Sequence, residues 1–535
     1  MVPMTPDPSP PMADRSGRPG ASPGGSPDTR PGRPTVAVVG GGIAGLAAAW
    51  ELTGGATPDP SAPRVVLLES AGTLGGSLRT ASFDGRPVDV GPDAFLGRRP
   101  EATTLCEELG LSEALVPVGA SGAAVWVRGA RRPLPQGLVL GVPSRFWPAA
   151  RSGILGPRGT LRLLLDVVAP RPDARGPLGD RAIGPLVGRK LGQRVVDRLA
   201  DPLVGGIHAG SVADMSAAAV FPVLLAAAQR RGSFMRALRR ASAAGPATAA
   251  GPAPVSAFWA LRDGMGSLVG ELADQLVGRG VTIRTGAEVE RLERAPSGAR
   301  RGGGTGGPGS GEAWTLHTGV GPIEADGLVI AAPAPVAAAL LAPHDADAAT
   351  LLGGVEHASV AVLTLAYPED AIGAPLHGTG FLVPRSPGGR RAAGEPTMVT
   401  ACTYLDRKWP HLRRPGTVLL RASVGRFGDR RHETMTDEQL VAHVTAELAV
   451  MVAGTGVPRA ALVTRYPHAF PQYRVHHLLR VAGLESALQR LPSVAVAGAA
   501  SRGVGIPACI GSGRGAARTV LGSLSPSASR PGSTR

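Results

Sequence analysis

Residues 35–52, TVAVVGGGIAGLAAAWEL, decide the fold. A β-prone run, Val36 to Val39, leads into three consecutive glycines and then into an alanine-rich helix start. The spacing Gly40-x-Gly42-x-x-Gly45 lies in the strand, turn and helix context in which it binds a dinucleotide. Gly40 permits the tight turn, Gly42 lets backbone approach a pyrophosphate, and Gly45 lets the helix pack against the strand. The helix N-terminus adds free N–H groups and a partial positive charge, so Gly40, Gly41, Gly42, Ile43, Ala44 and Gly45 are expected to hold the pyrophosphate.

A second strand, RVVLLES (64–70), ends in Glu69, 24 residues past Gly45. An acid there can accept hydrogen bonds from ribose hydroxyls, with Ser70 beside it. The next segment, AGTLGGSLRT (71–80), adds Gly75, Gly76, Ser77 and Arg79. It resembles the second glycine pair of the FAD-dependent amine-oxidase and protoporphyrinogen-oxidase superfamily, and this favours FAD over a nicotinamide cofactor.

At 535 residues the chain suits two or three domains, and its apolar content of 43% is ample for a core. The 76 glycines and 51 prolines cluster rather than spread. They mark tails at 1–34 and 524–535, both expected to be disordered, and flexible insertions at 170–181, 243–254 and 296–312. The net charge of +15 is almost entirely arginine, since Lys190 and Lys408 are the only lysines. With 4% aromatic residues and no basic run interleaved with them, the composition does not describe a nucleic-acid binder. Cys106, Cys402 and Cys509 are too far apart for a disulfide framework or metal cluster, so buried thiols and no metal are expected. No apolar stretch reaches membrane-spanning length, and residues 1–34 lack the apolar core of a secretory signal. A cytoplasmic protein, at most peripherally in contact with a membrane, is expected.

The order of elements implies an α/β protein with a discontinuous FAD-binding, Rossmann-like domain at 35–100, 258–335 and 485–523. A β-rich substrate domain is expected at 112–142 and 336–484, and a helical insertion at 143–257. The last unit, SVAVAGAASRGVGIPACIGSGRGAARTVLG (493–522), repeats the strand, glycine turn and helix of the N-terminal unit.

There the resemblance becomes specific. RGVGIPACIGSG (502–513) resembles the closing motif of protoporphyrinogen and coproporphyrinogen III oxidases. GPDAFLGRRPEA (91–102), RRPLPQGLVLGVPSRF (131–146), GIHAGSVADMSAAAVFP (206–222), ALRDGMGSLVGELADQL (260–276) and KWPHLRRPGTVLLRASVGRFGD (408–429) are similar to segments of the bacterial, oxygen-dependent branch. The resemblance is collinear over about residues 35–523. It implies that Gly91, Pro92, Asp93 and Ala94 lie under the flavin ring, and that Val504, Gly505 and Ile506 approach its pyrimidine end. It also implies that the backbone of Val289 meets the adenine and that Trp409 neighbours the flavin. Ser77 stands where relatives often carry a basic residue, a contact Arg79 can supply instead. Ala508 replaces an acid common in this turn.

The activity implied is oxidation of coproporphyrinogen III in haem biosynthesis, in three two-electron steps through FAD, with oxygen as acceptor and hydrogen peroxide as by-product. Flavin carries the chemistry, so no catalytic side chain is expected. His208, His411, His476 and His477 are the histidines considered as proton acceptors. Arg98 and Arg99, directly after the flavin-side turn, are candidates to meet a substrate propionate. Alternatives are a protoporphyrinogen IX oxidase, another FAD amine oxidase or desaturase, and a flavin- or nucleic-acid-binding protein without catalysis.

Overall fold

The computed structural model describes residues 33–169, 179–243, 258–295, 313–385, 397–454 and 456–525. The tails and the insertions expected at 170–181, 243–254 and 296–312 lie largely outside these. A five-stranded parallel sheet carries the nucleotide turn, in the order Thr282–Arg284, Arg64–Leu68, Thr35–Val39, Gly327–Ile330, Val494–Val496. Apart from the edge strand Thr282–Arg284, its strands read as largely apolar runs because helices cover both faces. On one face the first helix, Ile43–Leu52, packs on the closing helix, Ile506–Leu524. Their approach is close enough that a Cβ on Gly513 would stand 2.0 Å from the Ala44 carbonyl oxygen.

On the other face the helices Ala334–Leu341, Ala346–Gly353 and His477–Leu488 contribute Leu341, Leu352 and Leu484 to the core that holds Val39 and Leu328. Residues 336–353 and 477–484, expected with the β-rich domain, therefore pack under the nucleotide sheet. Their apolar faces match the sheet's second side, a tertiary fact that chain order does not reveal.

A seven-stranded sheet forms the second layer, in the order Ala460–Pro471, His357–Pro368, Thr417–Val424, Val399–Tyr404, Gly380–Leu382, Ala124–Val127, Ala130–Pro133. All its pairs are antiparallel except the one between Gly380–Leu382 and Ala124–Val127. The helix Asp437–Val452 packs on it and starts in a capping box, Thr436 with Gln439. The described residues between 146 and 243 supply mostly helices around their own core, which includes Val125 and Val127 of the large sheet. Among them Val196–Gly205 winds as a π-helix with Pro202 inside it. That rare winding frequently marks a functional site.

Candidate functional site

The glycine turn and the acid-bearing strand end are locked together. Glu69 Oε2 accepts from the Gly41 N–H at 2.6 Å, and Oε1 accepts from the Ala71 N–H at 2.8 Å. Ser70 is exposed and reaches Glu69 Oε1 at 3.3 Å. The second glycine pair lies alongside, with the Gly75 N–H donating to the Gly41 carbonyl at 2.8 Å. A Cβ on Gly45 would fall 1.9 Å from the Gly40 carbonyl oxygen, which ties the helix to the turn. At Gly42 the same test meets nothing within 4 Å. An open position between two glycine turns at a helix N-terminus is a cradle that fits a pyrophosphate.

Val289 begins a strand beside this site and is buried with Val39 and Leu68. The Ala287 N–H donates to the Glu69 carbonyl at 2.9 Å, which fixes that strand against the acid. Arg79 is exposed, and its Nε donates to the Gly76 carbonyl at 3.0 Å.

A cavity of about 470 Å³ opens from the sheet end. Ile43, Ser77, Gly91, Pro92, Asp93, Ala94, Val504, Gly505 and Ile506 all line it, along with Cys509. Residues from four distant parts of the chain thus meet around one space. Its opposite walls carry Asp201, Pro202 and Ile207 from the π-helix and its continuation, with Arg421, Arg426 and Tyr466 from the large sheet and its loops.

Asp93 is the electrostatic centre. Lys408 Nζ donates to it at 2.8 Å and Trp409 Nε1 at 2.9 Å, while Arg421 Nη1 lies 3.6 Å away. Burial opposes its charge, but Lys408 and Arg421 outweigh burial and hold the carboxyl well below the usual range. Trp409 is buried and braces Asp93 from behind; it is not among the cavity's lining residues. The neighbouring acid behaves oppositely. Asp89 accepts from Thr80 Oγ1 at 2.6 Å and the Met265 N–H at 2.7 Å, yet burial raises its carboxyl to about 6.

Two buried atoms facing the cavity, Arg421 Nη1 and Tyr466 Oη, have no hydrogen-bond partner among the described residues. Arg421 Nη2 donates to the Gly91 carbonyl, so its side chain is fixed while one nitrogen stays available. Unsatisfied polar atoms beside the Gly91–Ala94 turn suit a polar ring system such as an isoalloxazine.

Arg98 and Arg99 are exposed and do not line the cavity. Arg99 Nη2 pairs with Glu101 at 2.7 Å, and its Nη1 lies beside Gly503. Among the histidines, His208 is pushed down to about 4 by burial, and none of the four lines the cavity. His477 Nε2 is bonded to the Ser501 carbonyl at 2.7 Å. Sequence reading passed over Lys408, Arg421, Arg426 and Tyr466. Lys408 carried a signal, as one of two lysines and the neighbour of Trp409. The three cysteines are free and buried.

The model of the family described as flavin containing amine oxidoreductase matches residues 43–521. The chain is 30% identical over 491 residues to a coproporphyrinogen III oxidase of Bacillus subtilis, covering 92% of this chain and 98% of that protein. It is 35% identical over 478 residues to a coproporphyrinogen III oxidase of Mycobacterium leprae, covering 88% and 95%. The crystal structure of a candidate protoporphyrinogen oxidase from Exiguobacterium sp. 255-15 superposes with a TM-score of 0.78 at 29% identity, over 91% of this chain and 99% of that one. By motif, fold and site, the chain belongs to the flavin-containing amine oxidoreductase family and is an FAD-dependent oxidoreductase.

Proposed function

We propose that the protein oxidises coproporphyrinogen III to coproporphyrin III in haem biosynthesis. The observation that carries this reading is the single cavity shared by the flavin-side residues Gly91–Ala94 and Val504–Ile506 and by a wall bearing Arg421 and Arg426. Relatives that match nearly end to end are named for that reaction. The substrate loses six electrons and six protons over three steps, and three molecules of oxygen become three of hydrogen peroxide. Bound FAD supplies the two-electron acceptor that side chains lack.

The chain's part is binding and placement. Gly40–Gly45, Gly75 and Gly76 would hold the pyrophosphate, and Glu69 the ribose, where its carboxylate now accepts from Gly41. Ser70 stands beside that ribose position, and Ser77 and Val289 flank the adenosine and phosphate path. Gly91–Ala94 would underlie the ring, with Asp93 fixed by Lys408 and Trp409. Val504–Ile506 would face its pyrimidine end, where the N-terminus of the Ile506–Leu524 helix favours negative charge. Val360, Val362, Ile207 and Phe470 give the cavity apolar walls that accept the tetrapyrrole face and exclude water.

Oxygen as the final acceptor and the cytoplasm as the compartment belong to the same proposal. The test is anaerobic mixing of the purified yellow protein with coproporphyrinogen III. Rapid loss of flavin absorbance and appearance of porphyrin is expected; a fully loaded protein that keeps its oxidised spectrum rejects the reading.

A further inference from the structure

Arg426 lines the cavity just past the end of the Thr417–Val424 strand. Its backbone carbonyl accepts from the Asp429 N–H at 2.8 Å, but its guanidinium is joined to no other described residue by a hydrogen bond or ion pair. The acids around it are already engaged. Asp201 Oδ1 accepts from the Val212 N–H at 3.1 Å, and its Oδ2 lies 3.6 Å from Arg385 Nε. Asp429 accepts from Arg431 Nε at 2.8 Å and Nη2 at 2.6 Å. Arg385 is itself fixed, donating to the Gly210 carbonyl at 2.8 Å and the Phe427 carbonyl at 3.1 Å.

Asp201 and Asp429 favour the charge of Arg426 through space, but their close contacts are with Arg385 and Arg431, so the guanidinium has no described carboxylate at ion-pair distance. The other arginine of the lining, Arg421, is held by Gly91 and Asp93. Burial, with Arg385 nearby, pushes Arg426 down to about 10, which still leaves it charged at neutral pH. A partly buried, unpaired guanidinium is costly, and a carboxylate arriving from the cavity relieves that cost in a bidentate, charge-assisted contact. Arg426 follows Arg421 by five positions on a chain rising about 3.3 Å per residue, so their Cα atoms stand at most about 17 Å apart, and Arg421 itself touches the Gly91–Ala94 turn. A tetrapyrrole ring with its side chains can bridge that span.

We infer that Arg426 binds a carboxylate of the substrate, one propionate of the tetrapyrrole, at the π-helix end of the cavity. The inference rests on the proposed function and deepens it, because it assigns the carboxylate anchor to the loop that follows the Thr417–Val424 strand rather than to the exposed pair Arg98 and Arg99.

The test is binding of coproporphyrin III, the reaction product, to flavin-loaded wild type, R426Q and R426M, followed by porphyrin fluorescence. FAD content is read on the same samples, and the tetramethyl ester of coproporphyrin III serves as a second probe. Both variants are expected to keep FAD and to bind coproporphyrin III roughly 10- to 100-fold more weakly than wild type. They should bind the ester as wild type does. Equal affinity for the free acid in wild type and a loaded variant, or an equal deficit for acid and ester, overturns the anchor and leaves the function standing. Loss of FAD from both variants would make Arg426 part of the cofactor site and overturn it as well. Failure of loaded wild type to bind any carboxylated porphyrin overturns anchor and function together.

Discussion

A side chain added at Gly42 enters open space, whereas one added at Gly45 meets the Gly40 carbonyl at 1.9 Å. Both glycines belong to one motif, yet their substitutions should fail differently. Gly42→Leu should fold, because φ is −72° there and no atom obstructs the Cβ, but it should purify without flavin. Full FAD occupancy in that variant would refute the pyrophosphate assignment. Asp89 gives a pH signature. Its folded pKa of about 6 exceeds the unfolded value near 3.9, so the native state holds the extra proton between them. Stability from this group therefore falls as pH rises from about 4 to 6, and the full cost persists above 6. Asp89→Asn should gain on wild type across that window, by at most about 3 kcal/mol, in unfolding experiments at saturating FAD. A constant difference between the two proteins from pH 4 to 7 would contradict the burial account. At this scale the sequence was legible where chemistry is local: the glycines, Glu69 and the Gly91–Ala94 turn are contiguous motifs. Arg421 and Arg426 were not, because nearly every cation in the chain is an arginine and only the folded cavity tells one from another.

The short helix Leu405–Lys408 and the strand Thr417–Val424 deliver Lys408, Trp409 and Arg421 to Asp93. Strand alternation turns Arg421 and Ser423 to the same face, and both line the cavity. The large sheet thus supports the Gly91–Ala94 turn as well as forming a wall of the cavity. Asp93→Ala would leave Lys408 without its partner in a largely dry setting, and breaking such a pair costs about 3 kcal/mol. The apo-protein should lose about that much in denaturant unfolding, with weaker flavin retention. An unchanged midpoint would mean that the Asp93 cluster holds nothing in place. Element types were readable from apolar runs and turn residues, as at Thr35–Val39 and Asp437–Val452. The packing of Ala334–Leu341 and His477–Leu488 under the nucleotide sheet was not, since an apolar helix face does not name the surface it covers.

Across the whole molecule, one chain supplies a five-stranded parallel sheet, a seven-stranded sheet and a helical part whose residues line one space. No described helix is long and apolar enough to cross a membrane. The helical part does expose Trp147, Leu161 and Val168, at 65%, 62% and 66%, and these carry the proposal of a peripheral membrane contact. Anionic vesicles should therefore co-sediment a fraction of the protein, and that fraction should fall when all three are changed to Ser; sedimentation that ignores the triple change would remove this face from consideration. The central claim concerns chemistry in the shared cavity, and steady-state turnover tests it most directly. Flavin-loaded protein is supplied in air with coproporphyrinogen III or protoporphyrinogen IX, and porphyrin and peroxide are both measured. The account predicts a higher kcat/KM for coproporphyrinogen III, with three hydrogen peroxides formed per coproporphyrin III. A preference for protoporphyrinogen IX, or no porphyrin from either substrate, would contradict it.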